Sequence, residues 1–418
     1  MPASQHPELH PRFASAPLRR ALSDSPVVLV HGPRQSGKTT LVRTVAEPLG
    51  YRYLTLDDDV VRNAAERDSM GFVAELKGPT ILDEVQRTPS IFGAMKASVD
   101  RDRTPGRFLL TGSTNLLLLP KLSDSLAGRL AILRLFPLTQ SELTGTNTGF
   151  VERLLSNELP AGRRDRLGPE LARRIVAGGF PAALARNGAR RRATWYRDYV
   201  ETIVQRDVRD LARISSLDAL PRLLELAAGQ TARMLNVSDL AAPFQVSRPT
   251  IRDYITLLAR VFLLEELPPW HSNRLNRLVK SPKLHIVDTG IACSLLGYDA
   301  DGLHEDRERL GQLFETFVYQ ELRRQASWLD DDLRFHHFRD RDGTEVDLVI
   351  ERGARTLVGV EAKAGATVTS ADFRGMRMLA KAAGKRFVAG VIVYDGEHCV
   401  GFGDRLRAVP VSMLWQPA

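Results

Sequence analysis

The chain has 418 residues, 43% of them hydrophobic, with a net charge of +8 and an isoelectric point near 9.6. That length exceeds what one ordinary core fills and indicates two to four domains. Only two cysteines occur, Cys293 and Cys399, so neither a disulfide framework nor a cysteine metal cluster is supported; no apolar run approaches the ~20 residues that span a bilayer, and a cytoplasmic protein with no membrane partner is expected.

The first strong signal is Gly32-Pro33-Arg34-Gln35-Ser36-Gly37-Lys38-Thr39, a complete G-x-x-x-x-G-K-T phosphate loop. A β-branched apolar run, residues 25–31, precedes it as a buried parallel strand should. Thr40 and the residues after it read as a helix whose N-terminus faces the phosphates. Gly32 and Gly37 let backbone N–H groups curl around anionic oxygen. Lys38 supplies a cation for the β- and γ-phosphates, and the Thr39 hydroxyl is placed for Mg²⁺. The expected cofactors are therefore ATP and Mg²⁺, with residues 32–40 as the cradle.

A second strand is expected at 51–56 and a third at 79–84, ending in Asp83-Glu84. Two carboxylates at the end of an apolar strand need a cation or a polar duty. Asp83 would serve Mg²⁺ and Glu84 the attacking water. A further strand, 107–113, ends in Ser113, a candidate γ-phosphate sensor. Arg129 reads either as an arginine finger or as a structural arginine. These segments predict an α/β module with a parallel sheet and flanking helices over residues 1–145.

Residues 146–230 read as a helical, arginine-rich linker or lid. From Val151 to Arg213 there are 14 arginines and no lysine against eight acids, although the whole chain has only nine lysines among its 58 basic residues. Such a segment can face nucleic acid or pair with acids on a neighbouring domain. Within 231–300, two helical pieces meet at a turn, with Ser238 and Ser247 as N-caps and Leu240, Ile251, Ile255 and Leu258 as core. Residues 261–269 resemble the strand and wing of a winged helix. In that reading Arg248, Arg252 and Tyr254 lie near the start of a recognition helix, with Arg274, Arg277 and Lys280 beyond it; docking against the first module is the competing reading.

Over 301–418 a helix, three strands, a helix and a strand follow in the order αβββαβ. Asp347 and Glu361-Ala362-Lys363 lie on adjacent strands, and alternation puts Glu361 and Lys363 on one side. Asp347 and Glu361, with Glu315 from the helix and Glu345 as a further candidate, can share an oxygen-liganded Mg²⁺. Lys363 can position or deprotonate a water. This order and these residues resemble the PD-(D/E)xK nuclease core, an α/β restriction-endonuclease-like fold. The resemblance implies catalytic roles for Asp347, Glu361 and Lys363; a domain that keeps the pocket as a binding platform is the alternative.

The segments 32–39, Leu82-Asp-Glu-Val-Gln86, Leu110-Thr-Gly-Ser113, Ser125-Leu-Ala-Gly-Arg129, Leu135–Glu142, Gly178-Gly-Phe-Pro181, Arg206-Asp-Val208 and Lys283–Ile291 occur in that order. Together they resemble a group of bacterial and archaeal AAA-type ATPases joined to a further C-terminal domain. The resemblance implies an AAA module related to initiator- and STAND-type ATPases, and a homo-oligomer whose interface site Arg129 would complete. Two functions are then expected: ATP hydrolysis coupled to nucleic-acid binding or cleavage, with DNA ahead of RNA, or a STAND-like switch whose nuclease-like domain recognises without cutting.

Overall fold

The computed structural model describes residues 9–113, 126–209, 219–244, 246–272 and 281–417. The first module is built on five parallel strands: β1 (Val27–His31), β2 (Arg52–Thr55), β3 (Thr80–Asp83), β4 (Phe108–Gly112) and β5 (Leu130–Arg134), in the order β2-β3-β4-β1-β5. Alternation along β1 divides the core in two. Val27 and Leu29 enter one cluster with Leu82, Phe108 and Met95, while Val28 and Val30 enter another with Ile81, Leu109 and Leu41. Helices Ser15–Asp24 and Lys38–Ala46 cover the second face, and Ile91–Arg101 covers the first. A sheet buried on both faces explains why these strands read as continuous apolar runs. The C-terminal ends of β1, β3 and β4 lie side by side there, so Gly32, Asp83 and Ser113 emerge along one edge.

Residues 150–208 are mostly helical, running from Phe150–Ser156 through Pro169–Ala177, Pro181–Leu184 and Ala189–Thr202 into a π-helical turn, Ile203–Val208. The two-residue strand β6 (Gly162–Arg163) leaves this segment to join the C-terminal sheet. Next come helix Ala219–Gly229, β7 (Arg233–Met234), helices Val237–Ala241 and Arg248–Arg260, β8 (Leu264–Leu267) and β9 (Lys283–Ile286). Antiparallel pairing places β9 between β7 and β8. Ser247 caps its helix as expected, accepting from the Thr250 N–H at 3.2 Å. The preceding helix starts at Val237, two residues earlier than a cap at Ser238 implies, and Asn236, not Ser238, is its cap.

The C-terminal module contains helix Arg307–Ala326 and strands β10 (Leu333–Arg339), β11 (Glu345–Arg352), β12 (Thr356–Lys363), β13 (Phe387–Tyr394), β14 (His398–Gly401) and β15 (Leu406–Pro410). The order is β10-β11-β12-β13-β15-β14-β6, with β12, β13 and β15 mutually parallel. Helix Arg374–Ala383 packs on one face with Phe373, Met376 and Leu379, and helix Arg307–Ala326 packs on the other. One apolar cluster runs unbroken from Phe150 to Trp415. The boundaries read at 146–230, 231–300 and 301–418 therefore fall inside a shared core.

Candidate active site

The phosphate loop leaves β1 at Gly32, where a side chain could not fit: a Cβ would lie 2.1 Å from the Leu135 carbonyl oxygen. Gln35 and Gly37 adopt positive φ, which turns the loop back over the start of helix Lys38–Ala46. Lys38 is 5% exposed and its ammonium donates to the Pro33 and Gly32 carbonyls at 2.9 and 3.1 Å. Burial pushes it down to about 8, against the pull of Glu84 and Asp83. The Ser36 hydroxyl is fully buried with no hydrogen-bond partner, an orphan at the centre of an anion cradle.

Asp83 ends β3 facing the loop. Its carboxylate accepts from the Thr39 hydroxyl at 3.0 Å, from the Tyr53 hydroxyl at 2.8 Å and from the Thr111 hydroxyl. Burial, followed by this bond, pushes the Tyr53 phenol up. Glu84 sits in the left-handed region at φ 57°, a strained conformation for a residue with a side chain. Gln86 donates to its carboxylate, and the Ser113 hydroxyl donates to it at 3.1 Å. Thr39 beside Asp83, with a buried lysine and an unpaired serine close by, fits Mg²⁺ bound with phosphates, because that ion takes one or two protein ligands and completes its shell elsewhere.

A cavity of about 730 Å³ adjoins the loop. Its polar end is lined by Arg34, Gln35, Gly37, Lys38, Thr39, Thr40, Asp57 and Glu84. Its apolar end, Leu138 with Pro181, Ala182, Leu184 and Ala185, suits a flat heterocycle. Gly178-Gly-Phe-Pro181 marked this turn in the sequence, but nothing there tied it to the loop. Arg12 was also missed: its guanidinium donates to the Ser36 and Phe136 carbonyls at 2.6 Å each and pairs with buried Glu142 at 3.0 Å. Arg34 pairs with Asp207 of the π-helical turn at 2.7 Å, and the Tyr199 hydroxyl donates to the Arg34 carbonyl at 3.2 Å. Arg129 lies away from this cavity, in an ion pair with Asp100 at 2.6 Å.

Arg248 and Arg252 are exposed at the start of helix Arg248–Arg260, and Arg252 pairs with Glu266 at 2.9 Å. Tyr254 corrects its expected nucleic-acid role: it is 6% exposed and packs in the core with Ile251, Ile255 and Leu258. Helical spacing requires this, since positions 251, 254, 255 and 258 share one face. Arg274, Arg277 and Lys280 lie outside the described residues.

In the C-terminal module Glu315, Glu345 and Asp347 do come together, but around an ammonium. Lys283 of β9 lies 2.7 Å from Glu315, 3.0 Å from Asp347 and 3.7 Å from Glu345. The second Asp347 oxygen accepts from the Ala362 N–H at 3.0 Å. Burial, and then the Asp347 charge, push Glu361 up to about 8. Lys363 turns instead to Asp372 at 2.6 Å. Among the described residues no three His, Cys, Asp or Glu side chains are arranged to hold a metal. Lys283 belongs to a strand outside the module in which the cation site was read, so residue spacing there could not reveal it.

A family model described as "AAA domain" matches residues 24–144. Two models described as domains of unknown function, DUF8612 and DUF4143, match residues 168–302 and 310–414. "Uncharacterized protein Rv2008c" of Mycobacterium tuberculosis (strain ATCC 25618 / H37Rv) is 32% identical over 411 residues, covering 96% of this chain and 84% of the relative. "Uncharacterized protein Mb2031c" of Mycobacterium bovis (strain ATCC BAA-935 / AF2122/97) matches with the same figures. Among solved structures, the Walker-type ATPase PABY2304 of Pyrococcus abyssi aligns at 14% identity over 71% of this chain and 98% of that chain, with a TM-score of 0.44. The RuvB Holliday junction branch migration motor of Thermotoga maritima aligns at 18% identity over 61% and 86%, with a TM-score of 0.26. No described helix is long and apolar enough to cross a membrane.

Proposed function

This chain belongs to the family of the two mycobacterial proteins and carries an AAA domain over residues 24–144, and we propose that it is a Mg²⁺-dependent ATPase whose nucleotide state switches the posture of the middle segment. The observation that carries this reading is Arg34, which lines the phosphate cavity while bonding Asp207. Triphosphate at the polar end of the cavity competes with the Asp207 carboxylate for the same guanidinium. Lys38 and the loop N–H groups hold the β- and γ-phosphate oxygens. Mg²⁺, held by Thr39 and Asp83, would neutralise charge on those oxygens. Glu84 orients the attacking water and takes its proton, and Gln86 with Ser113 fix the carboxylate that does so. The apolar end of the cavity receives the base.

The output end of the switch is the π-helical turn Ile203–Val208 and the helix Ala189–Thr202 before it, which packs into the core shared with the C-terminal module. A nucleic-acid output is favoured by the helix–strand–helix–helix–strand–strand order of residues 219–286, with Arg248 and Arg252 exposed at one helix start. That order supports the winged-helix reading, with DNA as the ligand. In a homo-oligomer Arg129 would reach a neighbouring site only by leaving Asp100.

Steady-state ATPase assays on wild type, Lys38→Ala, Glu84→Gln and Asp207→Asn test the reading. Turnover should need Mg²⁺, vanish in Lys38→Ala and fall by roughly 10²–10⁴-fold in Glu84→Gln. Asp207→Asn should keep turnover while ATP no longer alters proteolytic cleavage within residues 189–209. Wild-type protein without Mg²⁺-dependent turnover would overturn the ATPase reading. An ATP-sensitive cleavage pattern retained in Asp207→Asn would overturn the switch.

A further inference from the structure

We propose that Lys283 is the resident cation of the C-terminal carboxylate pocket, so that the pocket joins two modules and does not take a divalent metal. The geometry leaves one position among Glu315, Asp347 and Glu345, and the Lys283 ammonium fills it at 2.7, 3.0 and 3.7 Å. A Mg²⁺ ion needs its oxygens at about 2.0–2.1 Å in near-octahedral array, with several waters kept. The free space beside Glu315 and Asp347 is about 10 Å³, close to the minimum for one water. A hydrated divalent ion and the ammonium cannot share it, and their charges repel.

Lys283 is also not free to swing away. It is 2% exposed and sits on the central strand of its sheet, in register with Met234 on one side and Leu267 on the other. Those pairings fix its backbone on both sides, and its ammonium is buried among the carboxylates of the C-terminal module. The arrangement is therefore an interlock between two modules. The remaining charges are used locally: Arg339 pairs with Glu345 at 3.1 Å and Lys363 with Asp372 at 2.6 Å. Glu361 keeps one buried oxygen with no hydrogen-bond partner.

The test uses full-length protein without nucleotide, so the phosphate-loop site does not enter it. Mn²⁺ binding is measured by electron paramagnetic resonance on wild type and Asp347→Asn, and thermal unfolding is followed in EDTA and in Mn²⁺. Identical Mn²⁺ isotherms are expected, as is a lower melting temperature for Asp347→Asn by the same margin in both buffers. A Mn²⁺ site present in wild type and lost in Asp347→Asn would overturn the proposal, as would a stability gap that appears only with Mn²⁺. Lys283→Met should lower the melting temperature by roughly 5–10 °C, because Glu315 and Asp347 are left unpaired. An unchanged melting temperature in Lys283→Met would refute the interlock. If that variant does not fold, the Asp347→Asn comparison decides alone.

Discussion

Replacing Lys38 by methionine should abolish ATP turnover and, at neutral pH, make the nucleotide-free protein more stable. Burial holds the Lys38 ammonium at about 8 against an ordinary 10.5. At about 1.4 kcal/mol per pH unit, confining the charge costs the empty fold roughly 3 kcal/mol. The folded-state value is depressed, so between pH 8 and 10.5 the unfolded chain binds the extra proton. The penalty is therefore complete below pH 8 and relieved as pH rises toward 10.5. Methionine also loses the two bonds to the Gly32 and Pro33 carbonyls, at about 0.5–1 kcal/mol each. The net gain at pH 7 is then about 1–2 kcal/mol, shrinking to nothing or reversing near pH 10. Urea unfolding of both proteins without nucleotide, at pH 7 and near pH 10, reads it directly. A methionine variant less stable than wild type at pH 7, or a difference independent of pH, would refute the argument that the loop stores this charge for phosphate.

Glu84→Gln should retain ATP binding but lower kcat by roughly 10²–10⁴-fold, since the amide cannot take the water's proton; equilibrium nucleotide binding beside turnover separates the two effects. Arg12→Ala leaves buried Glu142 without its guanidinium and frees two loop carbonyls, so it should destabilise the first module by about 3–5 kcal/mol and weaken ATP binding, measured by urea unfolding with and without ATP. Gly32→Ala should eliminate nucleotide binding, because its methyl would meet the Leu135 carbonyl oxygen at 2.1 Å; binding at wild-type affinity would show that the loop can shift to make room.

The sequence by itself determined the elements whose signals are local. The phosphate loop, Asp83-Glu84 at a strand end, the Ser247 cap and the first four strands of the C-terminal module, β10 to β13, follow from residue type, alternation and helical period, which act over a few residues, whereas β14 and β15 were not read from the sequence. Tyr254 was legible too, since the same period that marked Ile251 and Ile255 assigns it to the core. What only the tertiary structure decided are the partners separated by long stretches of chain. Arg12 reaches Glu142, Arg34 reaches Asp207, Leu138 joins Pro181 in lining the cavity, and Lys283 enters a pocket made by Glu315 and Asp347. No spacing rule encodes such pairs, because they arise where separately legible elements are packed together by burial of their apolar faces. Lys283 shows the consequence most plainly: the carboxylates of a metal-type site were present in the sequence, and packing of another strand supplied their cation.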